Sequence, residues 1–323
     1  MISFIIIGRN EGWKLTKCFR GVLNTIKTNE LGNYEIIYVD SNSTDDSIER
    51  AKQFSEVKIY LLTTIYNAAI ARNMGVLQAK GNTLFFIDGD MEILPEFLPL
   101  VYTENDGLKY PFVSGQLKNF NYDENDLFID NSWQYNGVLK RDKYYSTTGG
   151  IFLIKREIWE TVGGMDHRFR RGQDLELALR IAQKGYKILR KKEIVANHYT
   201  VSYRHHSRIW RTIFSGDVKY SNSFLIRKHI LNPYVYTKMF RNYYTLVSLM
   251  LSIILFFVFY SPFVFLLYAL GLSVKTMKSK NNNILRLAEL FIYYIVRDLA
   301  FIFYLFIPMN KIDPSKISYI KIQ

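Results

Sequence analysis

Three short apolar runs, Phe4–Ile7, Ile36–Val39 and Leu84–Ile87, are each separated from the next by a stretch with helical periodicity. That alternation predicts parallel strands joined by crossover helices and buried on both faces. Each run stops at polar residues: Arg9-Asn10-Glu11, Asp40-Ser41-Asn42-Ser43 and Asp88-Gly89-Asp90. Ligands of open α/β sheets gather outside the carboxyl ends of strands, so three site edges are expected to converge on one rim.

A chain of 323 residues with 49% hydrophobic content suffices for one sizeable α/β domain plus an appendage. Ile2–Ile7 follows Met1 without a basic leader region or the length of a signal sequence, and reads as a buried strand. Cys18 is the single cysteine, which excludes an intrachain disulfide, gives no sign of a zinc site built on thiolates and fits a reducing, cytosolic face. The net charge of +13 favours an anionic partner. Nucleic acid is disfavoured, since no recognised binding motif occurs and the aromatic residues concentrate toward the C-terminus among Lys and Arg, a distribution that suits lipid.

Between Gly107 and Tyr145 the sequence turns irregular and polar-aromatic, and acceptor recognition is expected there. A second block follows, with Ile151–Ile154 as a strand, Arg156–Val162 as a helix, Gly163-Gly164 as a break and Leu175–Gln183 as another helix. The expected division is a catalytic domain over 1–200, an amphipathic interfacial segment over 201–241 and membrane-embedded helices with a short tail over 242–323. In the middle segment Arg204, Arg208 and Arg211 share one helical face opposite Ile209, Trp210, Ile213 and Phe214. The competing reading is a packed surface helix. From Asn242 to Val274 no residue is charged, and Leu246 to Val274 exceeds the roughly 20 residues that cross a bilayer. Pro262 leaves two choices, one tilted span or a hairpin of two short helices, and Lys275, Lys278 and Lys280 favour the hairpin. Ile284–Ile307 carries Arg286, Glu289, Arg297 and Asp298, which are costly in lipid unless they face a partner helix or the interface.

Asp88-Gly89-Asp90 presents two carboxylates at a strand end, where they could hold a divalent cation bridging a diphosphate. An isolated Asp-x-Asp is more often a turn whose carboxylates cap backbone N–H groups. Gly172-Gln173-Asp174 precedes a helix, where an acidic side chain is also favoured by capping and the helix dipole.

The ordered series Phe4-Ile5-Ile6-Ile7-Gly8-Arg9-Asn10-Glu11, Val39-Asp40-Ser41-Asn42-Ser43-Thr44-Asp45, Ala71-Arg72-Asn73-Met74-Gly75 and Phe86-Ile87-Asp88-Gly89-Asp90 resembles glycosyltransferase family 2, of the GT-A fold. The likeness continues through Thr148-Gly149-Gly150-Ile151-Phe152, Gly163-Gly164-Met165-Asp166 and Gly172-Gln173-Asp174-Leu175-Glu176-Leu177-Ala178-Leu179-Arg180. It implies a Rossmann-like mixed sheet carrying a nucleotide-sugar donor, a UDP- or GDP-sugar. Donor contacts would come from Arg9, Asn10, Glu11, Asp40, Ser43, Arg72, Asp88, Gly149 and Gly150, with Asp40 accepting from the base and Arg72 near the phosphates. Asp90 would coordinate Mg²⁺ or Mn²⁺, joined by His198, which resembles a histidine that completes the metal site in some related enzymes. A lone His after a strand is otherwise a hydrogen-bonded structural residue. Asp174 matches the base of inverting members, with Glu176 as a second carboxylate. This chain has Gln173 where the family often has Glu, and Gly149 through Leu177 is also similar to the retaining polypeptide N-acetylgalactosaminyltransferases, which lack such a base.

The expectation is therefore a glycosyltransferase that serves surface polysaccharide or glycolipid synthesis. It would use a lipid-linked or saccharide acceptor at the cell membrane, with its catalytic domain on the cytoplasmic side. The rivals are a polyprenyl-phosphate sugar synthase and, outside enzymes, a membrane-bound nucleotide-sugar-binding scaffold.

Overall fold

The computed structural model describes residues 1–134, 137–145, 149–202, 206–215, 223–278, 284–309 and 311–323, without the side chains of 206–208, 237–239 and 241–242. Two units emerge, one of Met1–Ser202 with Lys311–Gln323 and one of Tyr203–Asn310.

In the first unit the apolar runs form parallel strands. β1 (Ile2–Gly8) is followed by α1 (Trp13–Thr28), β2 (Tyr34–Asp40), α2 (Ser47–Ala51), β3 (Val57–Leu62), α3 (Ala68–Gln78) and β4 (Thr83–Asp88). β1 pairs in parallel with β2 and β4, and Ile2, Phe4, Ile5 and Ile6 have no exposed surface, as strands covered on both faces require. One covering layer is α1, whose Leu15, Cys18, Phe19, Val22 and Ile26 recur at helical spacing and are buried. The other side carries α3, which approaches β1 so closely that a Cβ on Gly75 would stand 2.3 Å from Ile5 Cγ2.

Beyond β4 the sheet turns mixed. The further elements are β5 (Met91–Ile93), α4 (Leu98–Val101), β6 (Tyr102–Thr103), β7 (Gly107–Leu108), β8 (Phe112–Tyr122), β9 (Phe128–Trp133), β10 (Lys143–Tyr145), β11 (Phe152–Lys155), α5 (Arg156–Thr161), α6 (Gln173–Gln183) and β12 (Ile188–Val201). The sheet runs β10-β12-β8-β11-β4-β1-β2-β3 and closes on β13 (Tyr319–Lys321), with β5 on β12 and β9 on β8, while β6 and β7 form a separate ribbon. β11 is antiparallel to both β4 and β8, which turns the Rossmann-like half into the mixed α/β sheet anticipated from the motifs.

Residues 311–323 depart from expectation. They were expected as the tail of the apolar block, yet β13 pairs antiparallel with β3, and Gln323 donates to the carbonyls of Phe54 and Val57. The edge of β3 needs a hydrogen-bonding partner, and Tyr319-Ile320-Lys321 supplies it.

The second unit is helical: α7 (His206–Phe214), α8 (Ser223–Lys228), α9 (Pro233–Asn242), α10 (Tyr244–Phe259), α11 (Leu266–Met277) and α12 (Ile284–Leu305). Arg204 and the side chain of Arg208 lie outside the described residues. Arg211 is exposed, whereas Ile209 is buried and Trp210 donates to Glu289 of α12 at 3.0 Å, so part of the apolar side of α7 is packed inside this unit. The uncharged stretch is broken where Tyr260 takes a left-handed conformation (φ 53°) before Ser261-Pro262, giving two helices instead of one. Among the described residues, no helix is long and apolar enough to cross a membrane. The charges of α12 face partner helices: Arg297 donates to Thr245 of α10 at 2.8 Å, and Tyr268 of α11 to Asp298 at 3.4 Å.

Gly75→Ala is expected to lower stability by about 1–3 kcal/mol, because the new methyl must push Ile5 out of a filled core. Chemical denaturation of the two proteins measures this.

Candidate active site

The carboxyl ends of β1, β2 and β4 carry loops that hydrogen-bond one another. Ser43 accepts from the Asn10 N–H at 2.9 Å and donates to Asp40 Oδ2 at 2.6 Å, while Thr44 N–H donates to Asn10 Oδ1 at 2.8 Å. Asn10 holds a φ of 57°, a conformation asparagine tolerates. Ser47 accepts from both Glu11 and Gly12 N–H groups at 3.0 Å. Arg9 lies over the Tyr66 ring at 4.6 Å and donates to its hydroxyl at 3.3 Å.

Asp40 was expected to accept from a donor base. It is fully buried, and its oxygens accept from Tyr38 Oη (2.7 Å), Ser43 N–H (2.7 Å) and Ser43 Oγ. In this structure it shapes the β2–α2 loop.

Asp88 and Asp90 flank Gly89 at the end of β4, and Glu11 reaches toward them from the β1–α1 loop. Burial, together with the charges of Asp90 and Asp88, pushes the Glu11 carboxyl up to about 8, so it keeps its proton at neutral pH. Burial likewise raises Asp88 to about 6, against the pull of Arg72 and with repulsion from Asp90 and Asp174. Asp174 therefore belongs to the same electrostatic neighbourhood. For Asp90, burial alone would raise the pKa, but the facing His198 outweighs it and holds the carboxyl below its ordinary value.

Arg72, expected beside the phosphates, is only 2% exposed and is spent on Asp88: its Nη2 pairs with Asp88 Oδ1 and donates to the Gly150 carbonyl at 3.3 Å. Gly150 follows from that contact, because a Cβ there would stand 2.0 Å from Asp88 Oδ2. Its lack of a side chain thus makes room for a carboxylate. Gly149 beside it is buried.

His198 lies in β12, in register with Met91 of β5 and Asn119 of β8. Its Nε2 is 3.1 Å from Asp90 Oδ2 and its Nδ1 is 3.0 Å from Asn119 Oδ1. Asn119 Nδ2 points to Ser132 Oγ at 3.4 Å, so the amide oxygen faces the imidazole, and that oxygen only accepts. Nδ1–H then donates to Asn119, and Nε2 faces Asp90, to which it donates when the ring is protonated. Burial would lower the imidazole pKa, and the Asp90 charge overrides it and raises it. The chain of contacts continues through Asn121, which donates to Ser132 Oγ at 3.0 Å and to Asp130 at 2.6 Å. Sequence reading missed this ladder across β12, β8 and β9; its only trace was the alternation Asn119-x-Asn121 opposite Asp130-x-Ser132.

Among the described residues, no three His, Cys, Asp or Glu side chains form a ready-made metal cage. What the site offers is a pair, a carboxylate oxygen and an imidazole nitrogen 3.1 Å apart. That matches the roughly 3 Å between adjacent ligand atoms each about 2.1 Å from one cation. Two protein ligands with the remaining positions left to substrate oxygens is a common arrangement for a cation on a diphosphate, and the donor set fits it.

Asp174 stands in the first turn of α6, behind a loop pinned by α3: Asn73 bonds both N–H and C=O of Met165 (2.9 and 2.8 Å), and Asn67 donates to the His167 carbonyl at 2.8 Å. Glu176, the second candidate base, has no exposed surface and is clasped by Arg180 Nε and Nη2 at 2.8 and 2.7 Å. Arg180 also holds the carbonyls of Val162 and Gly164, so Glu176 secures the loop and is withdrawn from proton transfer.

The family follows from comparison. Residues 3–165, half of the chain, match the Glycosyl transferase family 2 profile, and residues 136–206 match that described as the N-terminal domain of galactosyltransferase. The chain belongs to glycosyl transferase family 2. It is 24% identical to glycosyltransferase AglE of Haloferax volcanii, over 61% of this chain and 66% of that protein. To N-acetylgalactosaminyltransferase 7 of Drosophila melanogaster it is 28% identical, over 57% of this chain and 36% of that one. These curated relatives thus extend well beyond the matched region. The fold is shared with the mannosyltransferase PcManGT from Pyrobaculum calidifontis, solved with GDP-Man and Mn2+: TM-score 0.57 at 14% identity, covering 93% of this chain and 86% of that one.

Two substitutions test the geometry. Gly150→Ala is expected to displace Asp88 and lower the affinity for a nucleoside diphosphate at least about tenfold, measured by calorimetry. Asn119→Leu, which releases the imidazole, is expected to weaken Mn²⁺ binding about 10–100-fold at little cost in secondary structure, measured by titration calorimetry with circular dichroism.

Proposed function

We propose that this chain transfers a sugar from a UDP- or GDP-sugar to a lipid-linked or saccharide acceptor at a membrane surface, assisted by Mg²⁺ or Mn²⁺, in the making of surface polysaccharide or glycolipid. The observation that carries the reading is the Asp90–His198 pair amid the carboxyl groups of Glu11, Asp88 and Asp174. Charged carboxylates at the end of a buried sheet need compensating cations, and His198 facing Asp90 and Arg72 paired with Asp88 supply part of that compensation.

When bound, a divalent cation at Asp90 and His198 would offset the charge that grows on the departing diphosphate. The protein's own contributions are positional. Asn119 fixes the imidazole, and Arg72 holds Asp88 against Gly150. The interlocked Asn10 and Ser43 loops form the rim on which a nucleotide would rest. Asp174 is the group that takes the proton from the acceptor hydroxyl, which makes the reaction inverting. Its position at the start of α6, close enough to Asp88 to affect that carboxyl's proton affinity, supports this role. Glu176 has no part in it, being paired with Arg180.

The exposed apolar surface of the helical unit supports a membrane location. Phe257, Phe259, Phe263 and Leu266 are each exposed, an arrangement that soluble surfaces rarely tolerate contiguously.

Released nucleoside diphosphate, measured across UDP- and GDP-sugars with Mn²⁺ or EDTA and with lipid-phosphate or saccharide acceptors, tests the proposal. Asp174→Asn is expected to cut acceptor-dependent turnover by about 10²–10⁴-fold while leaving donor affinity near that of the wild type. Equal turnover by this variant would remove the base assignment. No turnover with any donor would point to a binding scaffold.

A further inference from the structure

We propose that α10 and α11 form a hairpin whose apex enters one leaflet of an anionic bilayer and does not cross it. The inference rests on the membrane placement above and goes beyond it in depth and topology.

Length is the first ground. α10 has 16 residues and α11 has 12, or about 24 and 18 Å of helix, joined by a 3₁₀ turn at Pro262–Phe265. A hydrocarbon core is about 30 Å thick, so neither arm can cross it, while half of a bilayer with its headgroup layer is about 20–22 Å. The arms match that half-thickness.

The distribution of exposure is the second ground. At the turn, Phe257, Phe259, Tyr260, Phe263 and Leu266 are 67%, 65%, 80%, 76% and 64% exposed, and no charged residue lies between Tyr244 and Val274. Buried residues of the same helices, Leu246, Leu249, Leu272 and Thr276, lie mostly toward the opposite end. There α12 closes over them, as Arg297 reaches Thr245. Exposure is thus greatest at the turn, although Ile254 and Leu270 along the arms are also exposed, and α12 packs against the arms from Thr245 to Tyr268.

The third ground is the chemistry of the base. Lys275 at the end of α11 sits 4.9 Å from the rings of both Tyr244 and Tyr294, and the exposed Lys278 sits 5.9 Å from Tyr244, whereas Arg297 is paired with Asp298 inside the unit. Tyrosines mixed with lysines at one level of an apolar hairpin form the belt that membrane proteins place among headgroups. The cations select an anionic surface over a neutral one. A second copy of this chain docking through the same apex would lack that charge match, since its own base is also cationic.

The full chain is added to sealed vesicles of phosphatidylcholine with or without phosphatidylglycerol, and binding is read by flotation. In a Cys18→Ala background, single cysteines are introduced at Phe263 (apex) and Lys278 (base) and treated with a membrane-impermeant thiol reagent outside or trapped inside. The inference expects stronger flotation with phosphatidylglycerol. It expects Lys278→Cys to react only from outside and Phe263→Cys from neither side, with a fluorophore at Phe263→Cys quenched by acyl-chain nitroxides. Phe263→Glu should weaken flotation about a hundredfold. Reaction of Phe263→Cys from inside would overturn the single-leaflet topology while leaving membrane binding intact. Absence of flotation in every vesicle would overturn the membrane placement as well. Self-association abolished by Phe263→Glu, without flotation, would assign the apex to a second copy.

Discussion

Three carboxyl groups, those of Glu11, Asp88 and Asp90, share the end of a buried sheet, where burial and their neighbours' charges raise the cost of ionising Glu11 and Asp88, and Asp174 adds to that cost for Asp88. The structure distributes that cost unevenly. Glu11 keeps its proton, Asp88 is held by a buried arginine, and Asp90 is kept charged by an imidazole. Several kcal/mol per uncompensated buried ion is enough to unfold a domain of ordinary stability. The cleft can therefore exist only if Arg72 and His198 are held in place, and much of the surrounding architecture serves to hold them. Gly150 leaves space for Asp88, and the Asn119–Ser132–Asn121–Asp130 ladder sets the imidazole.

The strands and the polar ends of β1, β2 and β4 were legible because apolar runs and their terminators are local signals. Local signals say less about what surrounds a side chain. Asp40 and Glu176 are carboxylates in motif positions, and a motif does not reveal which neighbours already use their oxygens: Tyr38 and Ser43 for the first, Arg180 for the second. The Glu176–Arg180 pair sits at i,i+4 on a helix, a spacing that favours such a pair, so that contact was within reach of the sequence. The Asn119–His198 contact was not, because strand register between β8 and β12 depends on two bulges near Arg190 and Ile194.

Similar limits apply to the helical unit. Hydropathy marked the stretch after Asn242 as apolar, but Pro262 alone could not decide between one helix and two. The left-handed turn at Tyr260 makes it two. The return of residues 311–323 to the sheet was illegible, since Tyr319-Ile320-Lys321 carries too little pattern to announce a strand. Its consequence is that the helical unit is an insertion between β12 and β13, tied to the sheet-bearing unit at both ends of its sequence.

The central claim, that Asp90 and His198 together bind a divalent cation shared with a nucleoside diphosphate, is tested most directly by electron spin-echo spectroscopy of the protein with Mn²⁺ and UDP or GDP. The account predicts a nitrogen coupling from a directly bound imidazole, present in the wild type and absent in His198→Gln. A Mn²⁺–diphosphate complex bound with full affinity but without nitrogen coupling would contradict it.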